Sequence, residues 1–146
     1  MKQLSTLDMK DWKRHIISDD PVRPHLDMEW RLKNGREVFI LEDDTVGVIV
    51  SVVCVAFTNG VAITEEDLNN TQDPNTAMFY TVWSYTKGSG RDIIFNTVDV
   101  IKRDYPHIKR FVTLSPLTEM AEKFHLRNGA KFLKKGETCQ NFEYLV

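Results

Sequence analysis

The sequence predicts a single α/β (α+β) domain, residues 1–146, with a mixed central sheet and helices on both faces. Strand-like and helix-like segments alternate in the second half of the chain, a pattern typical of parallel strands connected by helices. In the first half, apolar runs follow one another across short polar turns, a pattern typical of antiparallel neighbours. The length of 146 residues suits one domain, and an apolar content of 42% is enough to form a hydrophobic core.

The first half should contain one helix and two strands. The helix is predicted to be capped by Thr6 or Asp8 and to end before Pro21, because proline breaks a helix. The strands are predicted from Glu37 to Leu41 and from Val46 to Phe57, the second being a continuous Val- and Ile-rich run typical of burial on both sides. The apolar side of the helix would be formed by Leu7, Met9, Trp12, Ile16 and Ile17.

The second half opens with an aromatic strand from Met78 to Tyr85 that leads into a glycine-rich turn, Lys87 to Arg91. An amphipathic helix follows and ends at Pro106. We expect Trp83 and Tyr85 to lie near whatever binds at the end of this strand. The apolar side of the helix repeats at helical spacing through Ile94, Val98, Ile101 and Tyr105.

The remaining segments predict a strand, a helix and two short closing strands. The strand runs from Ile108 to Leu114 and the helix from Pro116 to Asn128, with Gly129 in the position that favours a left-handed residue. The closing strands are predicted at Phe132 to Leu133 and Asn141 to Val146. The aromatic strand, the amphipathic helix and the Ile108 strand form a parallel strand–helix–strand unit, whose crossover should be right-handed.

Composition excludes several classes of function. The net charge is −2 with acidic and basic residues interspersed, so neither nucleic acid nor a membrane is an expected partner. The two cysteines, Cys54 and Cys139, are too few for a disulfide framework or a metal quartet, and no metal site is expected. Cys54 should be buried in its apolar strand, whereas Cys139 could be partly exposed. The N-terminus lacks the apolar segment of a signal peptide, so a cytoplasmic location is the default expectation.

The turn Gly88-Ser89-Gly90 connects a strand to the start of a helix. Backbone N–H groups in such a turn lie at the positive end of the helix dipole and form an anion site suited to phosphate or pyrophosphate. Lys87 and Arg91 flank the turn and would add positive charge. The alternative is that the glycines serve only a tight turn, and the pattern is neither a P-loop nor a dinucleotide fingerprint.

Ser115 and His125 are the candidate reactive residues. Ser115 lies where a predicted strand ends, and His125 lies on the helix that follows, which is where open α/β sheets usually place their sites. Taken singly, a serine before a proline is more often a turn or helix cap, and a histidine on a half-buried helix is more often a core residue.

Roughly residues 37 to 135 resemble the Gcn5-related N-acetyltransferase (GNAT) superfamily. In that superfamily a turn of the form Arg/Gln-x-x-Gly-x-Gly/Ala binds the pyrophosphate of acyl-CoA, and here the matching stretch is Tyr85 to Gly90, with Tyr85 in the Arg/Gln place. His125 stands where the superfamily often has the tyrosine that protonates the departing thiolate. The residues that this resemblance implies for coenzyme binding are Val82, Ser84, Tyr85, Lys87, Gly88, Ser89, Gly90 and Arg91.

A narrower resemblance is to malonyl-CoA decarboxylase, whose catalytic domain is GNAT-like and has a Ser/His pair. Thr113-Leu114-Ser115-Pro116 is similar to the segment with its serine, and Phe124 to Ala130 is similar to the segment with its histidine. A long stretch separates the two residues in that family, whereas here His125 follows Ser115 by only ten positions. The resemblance implies catalytic roles for Ser115 and His125.

Three functions therefore compete. The first is a decarboxylase-like lyase that forms an enolate from a malonyl-type thioester and protonates it with His125, assisted by Ser115. The second is a GNAT acyltransferase that moves an acyl group from acyl-CoA to an amine, and the third is a module that binds acyl-CoA without catalysis. All three imply coenzyme A or acyl-CoA as the small-molecule ligand, and they leave room for an amine acceptor and for a homodimer.

Overall fold

One eight-stranded mixed sheet organises the computed structural model, which describes residues 1–146 throughout. All neighbouring strands are antiparallel except β4 and β5, which are parallel. Both β6 and β7 pair with β8, so the sheet runs β1-β2-β3-β4-β5-β8 with β6 continuing the line of β5. The strands are β1 (Lys2–Thr6), β2 (Arg36–Asp43), β3 (Val48–Thr58), β4 (Thr76–Ser84), β5 (Arg110–Thr113), β6 (Ser115–Pro116), β7 (Lys131–Lys135) and β8 (Cys139–Tyr144).

Helices cover both faces of the sheet, as the sequence predicts. α1 (Met28–Arg31) is short, whereas α2 (Ser89–Asp104) spans 16 residues and connects β4 to β5. α3 (Glu119–Arg127) begins after Thr118, whose side chain accepts a hydrogen bond from the Ala121 N–H as an N-cap should. Two 3-10 helices, Trp12–Asp19 and Glu66–Asn69, complete the structure. No helix combines the length and the apolar composition that crossing a bilayer requires.

Two apolar clusters form the core, one on each face of the sheet. On the α2 face, four α2 side chains pack against strand residues such as Val53 and Phe79. Burying each of these side chains stabilises the fold by roughly 1.5–3 kcal/mol, so α2 is held mainly by packing. On the N-terminal face, the segment that precedes β2 contributes Leu7, Ile16 and Met28 against Tyr80 and Trp83. The α2 side chains are Ile93, Ile94, Val98 and Ile101, all buried.

The parallel pair β4 and β5 separates part of the way along its length. The Leu114 N–H donates to the Phe79 carbonyl at 2.9 Å, the last backbone hydrogen bond between these two parts of the sheet. Next to this point, the β3–β4 register shifts so that Tyr80 is an extra residue in β4. Such a bulge bends its strand, and here β4 turns away from β5 and leaves a gap in the sheet.

The first part of the chain differs from the prediction. Residues 2–6, for which no element was predicted, form strand β1, and Thr6 pairs with Phe39 of β2 instead of capping a helix. The helix that follows is a 3-10 helix and starts only at Trp12, with Asp11 as its N-cap. Pairing with a distant strand overrides a local helical pattern, and the sequence gives no sign of that partner.

Smaller corrections concern the second half. Cys139 is buried, because β8 packs its thiol beneath Arg23, whose Nη2 lies 3.6 Å from Sγ. Cys54 is buried as predicted. The helix predicted from Pro116 begins three residues later at Glu119, since Ser115 and Pro116 form β6 by pairing with Gln140 and Cys139 of β8.

Candidate active site in the gap of the sheet

A cavity of about 530 Å³ fills the gap between β4 and β5, within the size range of small-molecule sites. One wall is β4 from Phe79 onward, and the opposite wall is Leu114 to Pro116. α3 and the start of α2 close it on the α2 face, and Pro21 and Val22 border it on the N-terminal face. The lining residues are Pro21, Val22, Phe79, Tyr80, Thr81, Val82, Trp83, Ser84, Gly90, Leu114, Ser115, Pro116, Thr118, Met120, Ala121, Phe124 and His125.

The β4 wall presents free backbone groups to the cavity. The Tyr85 N–H donates to the Val50 carbonyl of β3 at 2.8 Å, and antiparallel pairing alternates along a strand. Trp83 is therefore in a hydrogen-bonded pair with β3, whereas the backbone N–H and C=O groups of Val82 and Ser84 point away from β3 toward the gap. These two residues are among those predicted to bind a coenzyme, and their exposed peptide groups can hydrogen-bond an extended amide chain.

The predicted anion site lies at the end of this wall. Gly88 has a φ of 84°, a left-handed conformation that favours glycine, and it immediately precedes α2. The N–H groups of Lys87, Gly88, Gly90 and Arg91 have no acceptor within the chain, so four donors surround the start of α2. The Lys87 and Arg91 side chains are exposed beside them. The arrangement can bind a phosphate-like anion.

Ser89 and Tyr85 are occupied by contacts within the protein. The Ser89 hydroxyl is buried and donates to the Val50 carbonyl at 2.9 Å, which fixes the turn to β3. The Tyr85 hydroxyl donates to Asp19 at 2.6 Å and accepts from the indole N–H of Trp83 at 2.9 Å. Trp83 lines the cavity, whereas the Tyr85 side chain lies outside it, in a shallower pocket with the 3-10 helix Trp12–Asp19.

His125 projects from α3 into the cavity and is 4% exposed. Its ring stacks on Phe142, and Nδ1 lies 2.7 Å from the Tyr144 hydroxyl. We assign the phenol as donor to Nδ1, because its oxygen can accept from the nearby Asn128 side-chain amide while its own hydrogen points to the ring. The neutral ring then has its own hydrogen on Nε2, which makes no hydrogen bond and is accessible from the cavity.

Burial sets the protonation state of this histidine and its partner. It lowers the pKa of His125 to about 4, because the imidazolium loses hydration that no carboxylate replaces. It raises the pKa of Tyr144 to about 12, so the phenol stays protonated. His125 is therefore neutral at physiological pH, and a bound anion next to Nε2 would favour its protonation.

Ser115 lines the same cavity as His125 of α3, so the structure brings the two residues together. The Ser115 hydroxyl donates to Thr113 Oγ1 at 2.8 Å, and no hydrogen bond joins it to His125. Thr113 Oγ1 also accepts from the Phe142 N–H at 3.1 Å, so Ser115 is anchored to β8. The lone pairs of Ser115 remain available to a ligand, and its hydrogen can turn from Thr113 toward one.

Sequence reasoning missed three contributors to the site: Tyr144, Thr81 and the Pro21–Val22 segment. Tyr144 lies 19 positions from His125 and has no motif of its own, so only the β8 pairing reveals it. Thr81 belongs to a strand whose aromatic residues dominate the pattern. The sequence marks Pro21 only as the end of a helix. Nothing in it predicts that Pro21 or Val22 borders a cavity.

Comparison with known proteins supports the fold assignment. No family model and no curated protein matches the chain. Among solved structures, the loading GNATL domain of CurA from Lyngbya majuscula has a TM-score of 0.69 at 14% identity, covering 99% of this chain and 97% of that one. A Bacillus subtilis acetyltransferase in complex with CoA has a TM-score of 0.63 at 8% identity, with coverage of 98% and 95%.

Malonyl-CoA decarboxylase structures share the same fold. The enzyme from Agrobacterium vitis has a TM-score of 0.65 at 24% identity, covering 84% of this chain and 35% of that one. The chain thus spans about a third of the length of the decarboxylases it matches. The protein has the GNAT fold, an α+β fold with a mixed sheet, as the sequence predicts.

Proposed function

We propose that this protein binds an acyl-CoA in the cavity between β4 and β5 and decarboxylates a malonyl-type thioester, as malonyl-CoA decarboxylase does. One observation carries the proposal. None of the 17 lining residues is Asp, Glu, Lys or Arg, and His125 is the one lining group with an ordinary pKa near neutrality. The site therefore offers a proton donor in an uncharged, largely apolar space.

The coenzyme would lie along β4. The pantetheine amides would hydrogen-bond to the free peptide groups of Val82 and Ser84. The pyrophosphate would accept from the four free N–H groups around the start of α2. This course brings the thioester to the inner part of the cavity, between Ser115 and His125. A Bacillus subtilis acetyltransferase with CoA bound shares the fold, which supports the same use of this gap.

Loss of CO2 is favoured by such a space. The bond between the methylene and carboxylate carbons breaks, its electron pair enters the thioester as an enolate, and CO2 leaves uncharged. No lysine or arginine lines the cavity to hold the carboxylate, so moving its charge onto the thioester oxygen, next to the proton that His125 takes up with the substrate, costs less there than in water. Donors at that oxygen, a β4 peptide N–H or the Ser115 hydroxyl, would stabilise the enolate.

His125 would then protonate the methylene carbon. The ring is neutral before binding, and the substrate carboxylate raises its pKa, so one proton enters with the substrate. The Tyr144 hydroxyl at Nδ1 orients the ring so that Nε2 presents that proton to the enolate carbon. Transfer leaves a neutral ring and an acetyl thioester, and the reaction consumes one proton overall. A positioned acid of this kind contributes about 10²–10⁴-fold in rate.

The second candidate is an acyltransferase acting on an amine. It is favoured by His125 standing in the place of the superfamily's thiolate-protonating tyrosine and by the acetyltransferases that share the fold. The cavity offers no carboxylate to deprotonate an ammonium group, which counts against it. This alternative predicts that the acyl-CoA is consumed only when an amine is added.

The test is mass spectrometry of malonyl-CoA incubated with the purified protein, with and without a mixture of amines. The variants are His125→Asn, which keeps a polar group near Tyr144 and removes Nε2, and Ser115→Ala. His107→Asn is the matched control, because His107 is exposed and outside the cavity.

Acetyl-CoA formed without an amine by the wild type and by His107→Asn, with a loss of at least about 100-fold in His125→Asn, supports the lyase. Acylated amine without free acetyl-CoA would instead support the acyltransferase hypothesis. Equal turnover in His125→Asn and the wild type would refute the assigned role of His125.

A further inference from the structure

Arg23 lies directly behind the wall of the cavity and is 3% exposed. One Nη1 hydrogen is donated to the Tyr80 carbonyl, and Nε donates to Glu65 at 3.1 Å. Its remaining contacts are weak: Nη1 lies 3.5 Å from Thr81 Oγ1, and the only acceptor for Nη2 is the Cys139 thiol at 3.6 Å. A buried guanidinium usually has its five N–H groups on oxygen acceptors, and this one does not.

A buried ion pair fixes Arg23 in this position. Asp20 and Arg31 are both completely buried, and their side chains meet at 2.8 Å. The other oxygen of Asp20 accepts from the N–H groups of Val22 and Arg23, both at 2.8 Å, and Arg31 also donates to the Arg23 carbonyl at 2.7 Å. Burying two charges is costly, and here the pair holds one short segment, residues 20–23, against β4.

The bulge in β4 turns Thr81 toward Arg23. Tyr80 and Trp83 both belong to the cluster on the N-terminal face, and Thr81 shares that face with Trp83 by strand alternation. Two adjacent residues face the same side only because the bulge inserts Tyr80. Thr81 therefore lines the cavity on one side and contacts the guanidinium on the other.

We infer that Thr81 and Arg23 select acyl groups that end in a carboxylate, an inference that rests on the proposed function. The Thr81 hydroxyl would donate to the substrate carboxylate. Arg23 acts behind it as a positioning residue, since donation from Nη1 to Thr81 Oγ1 leaves the threonine hydrogen free to point into the cavity.

Contact through the Thr81 hydroxyl suits decarboxylation better than a direct ion pair between Arg23 and the carboxylate. A guanidinium in contact with the carboxylate would stabilise the substrate before CO2 leaves and would raise the barrier. A charge one hydroxyl away still favours an anion in a cavity whose lining has no Asp, Glu, Lys or Arg, because the local dielectric is low. The two residues thus select the substrate without holding its charge in place.

Binding measurements in the His125→Asn background test this inference, because that variant should leave malonyl-CoA intact. Isothermal titration calorimetry with malonyl-CoA and with acetyl-CoA gives the ratio of their dissociation constants. General loosening of the fold would weaken binding of both thioesters alike and leave this ratio unchanged. Thr81→Val is the main variant, since it is nearly isosteric and suits a strand. Arg23→Met and Arg23→Lys test the charge, and Arg14→Met is the matched control on an exposed arginine.

We expect malonyl-CoA to bind about 10- to 100-fold more tightly than acetyl-CoA, the range for a hydrogen bond to a charged group. Thr81→Val and Arg23→Met should bring the ratio close to one, Arg23→Lys should restore part of it, and Arg14→Met should leave it unchanged. Should Arg23→Met fail to fold, Thr81→Val decides.

The failures are distinguishable. Equal affinity for the two thioesters, or a ratio that survives Thr81→Val, overturns the selectivity inference and leaves acyl-CoA binding intact. Absence of binding by malonyl-CoA, acetyl-CoA and free CoA overturns the proposed function and this inference together.

Discussion

Lowering the pH from about 7.5 to about 5 should destabilise this protein through His125. Its pKa is about 4 in the folded state because burial disfavours the imidazolium, and close to 6.5 when the chain is unfolded. Between these two values the unfolded chain binds more protons, so the free energy of unfolding rises with pH. Above about pH 6.5 the ring is neutral in both states and stability is at its full value. As the pH falls toward 4, only the unfolded chain takes up the proton, so the free energy of unfolding decreases.

The size of the effect follows from the pKa difference. Each unit corresponds to about 1.4 kcal/mol, so the full window is worth about 3 kcal/mol, of which about 2 kcal/mol is lost by pH 5. Urea unfolding of the wild type and His125→Asn at both pH values measures it. Groups such as Glu37, whose pKa burial raises, affect both proteins alike and cancel in the comparison.

We expect the wild type and the control His107→Asn to lose about 2 kcal/mol more than His125→Asn does over this interval. An NMR titration of the His125 ring should show its midpoint near pH 4. Identical pH dependence of the wild type and His125→Asn, or a midpoint near the ordinary value, would refute the reasoning that places a neutral imidazole in the cavity.

Three further predictions concern stability, ligand binding and reactivity. Asp20→Ala should lower the free energy of unfolding by about 3–5 kcal/mol, measured with urea, because it leaves the buried charge of Arg31 unpaired. Gly90→Ala should weaken binding of acyl-CoA several-fold in a titration while changing stability by less than about 1 kcal/mol, because the new Cβ would lie 3.2 Å from Phe124 Cζ and push that ring into the cavity. Cys54 should react with iodoacetamide at least about 100-fold more slowly in the native protein than in urea, because the thiol is fully buried and burial raises its pKa to about 11.

The sequence predicted the second half of the fold well because its signals are local. Helix α2 shows an apolar repeat at helical spacing and ends next to a proline, and the observed helix, Ser89–Asp104, matches it. The turn at Gly88 also follows from residue type, because glycine readily adopts the left-handed conformation found there. Strand β1 was not predicted, because its partner Asp43 lies 41 positions beyond Lys2.

By itself, the sequence determined that a strand, a glycine-rich turn and a helix succeed one another, and that Ser115 and His125 follow in contexts resembling a decarboxylase. Each of these depends on neighbours within a few positions, where residue type controls backbone conformation. The tertiary structure decided the chemistry of the site: the bulge at Tyr80 opens β4 from β5, Tyr144 orients His125, and burial lowers the pKa of its ring. These features need contacts between residues far apart in the chain, because dielectric environment and strand register exist only once the sheet is assembled.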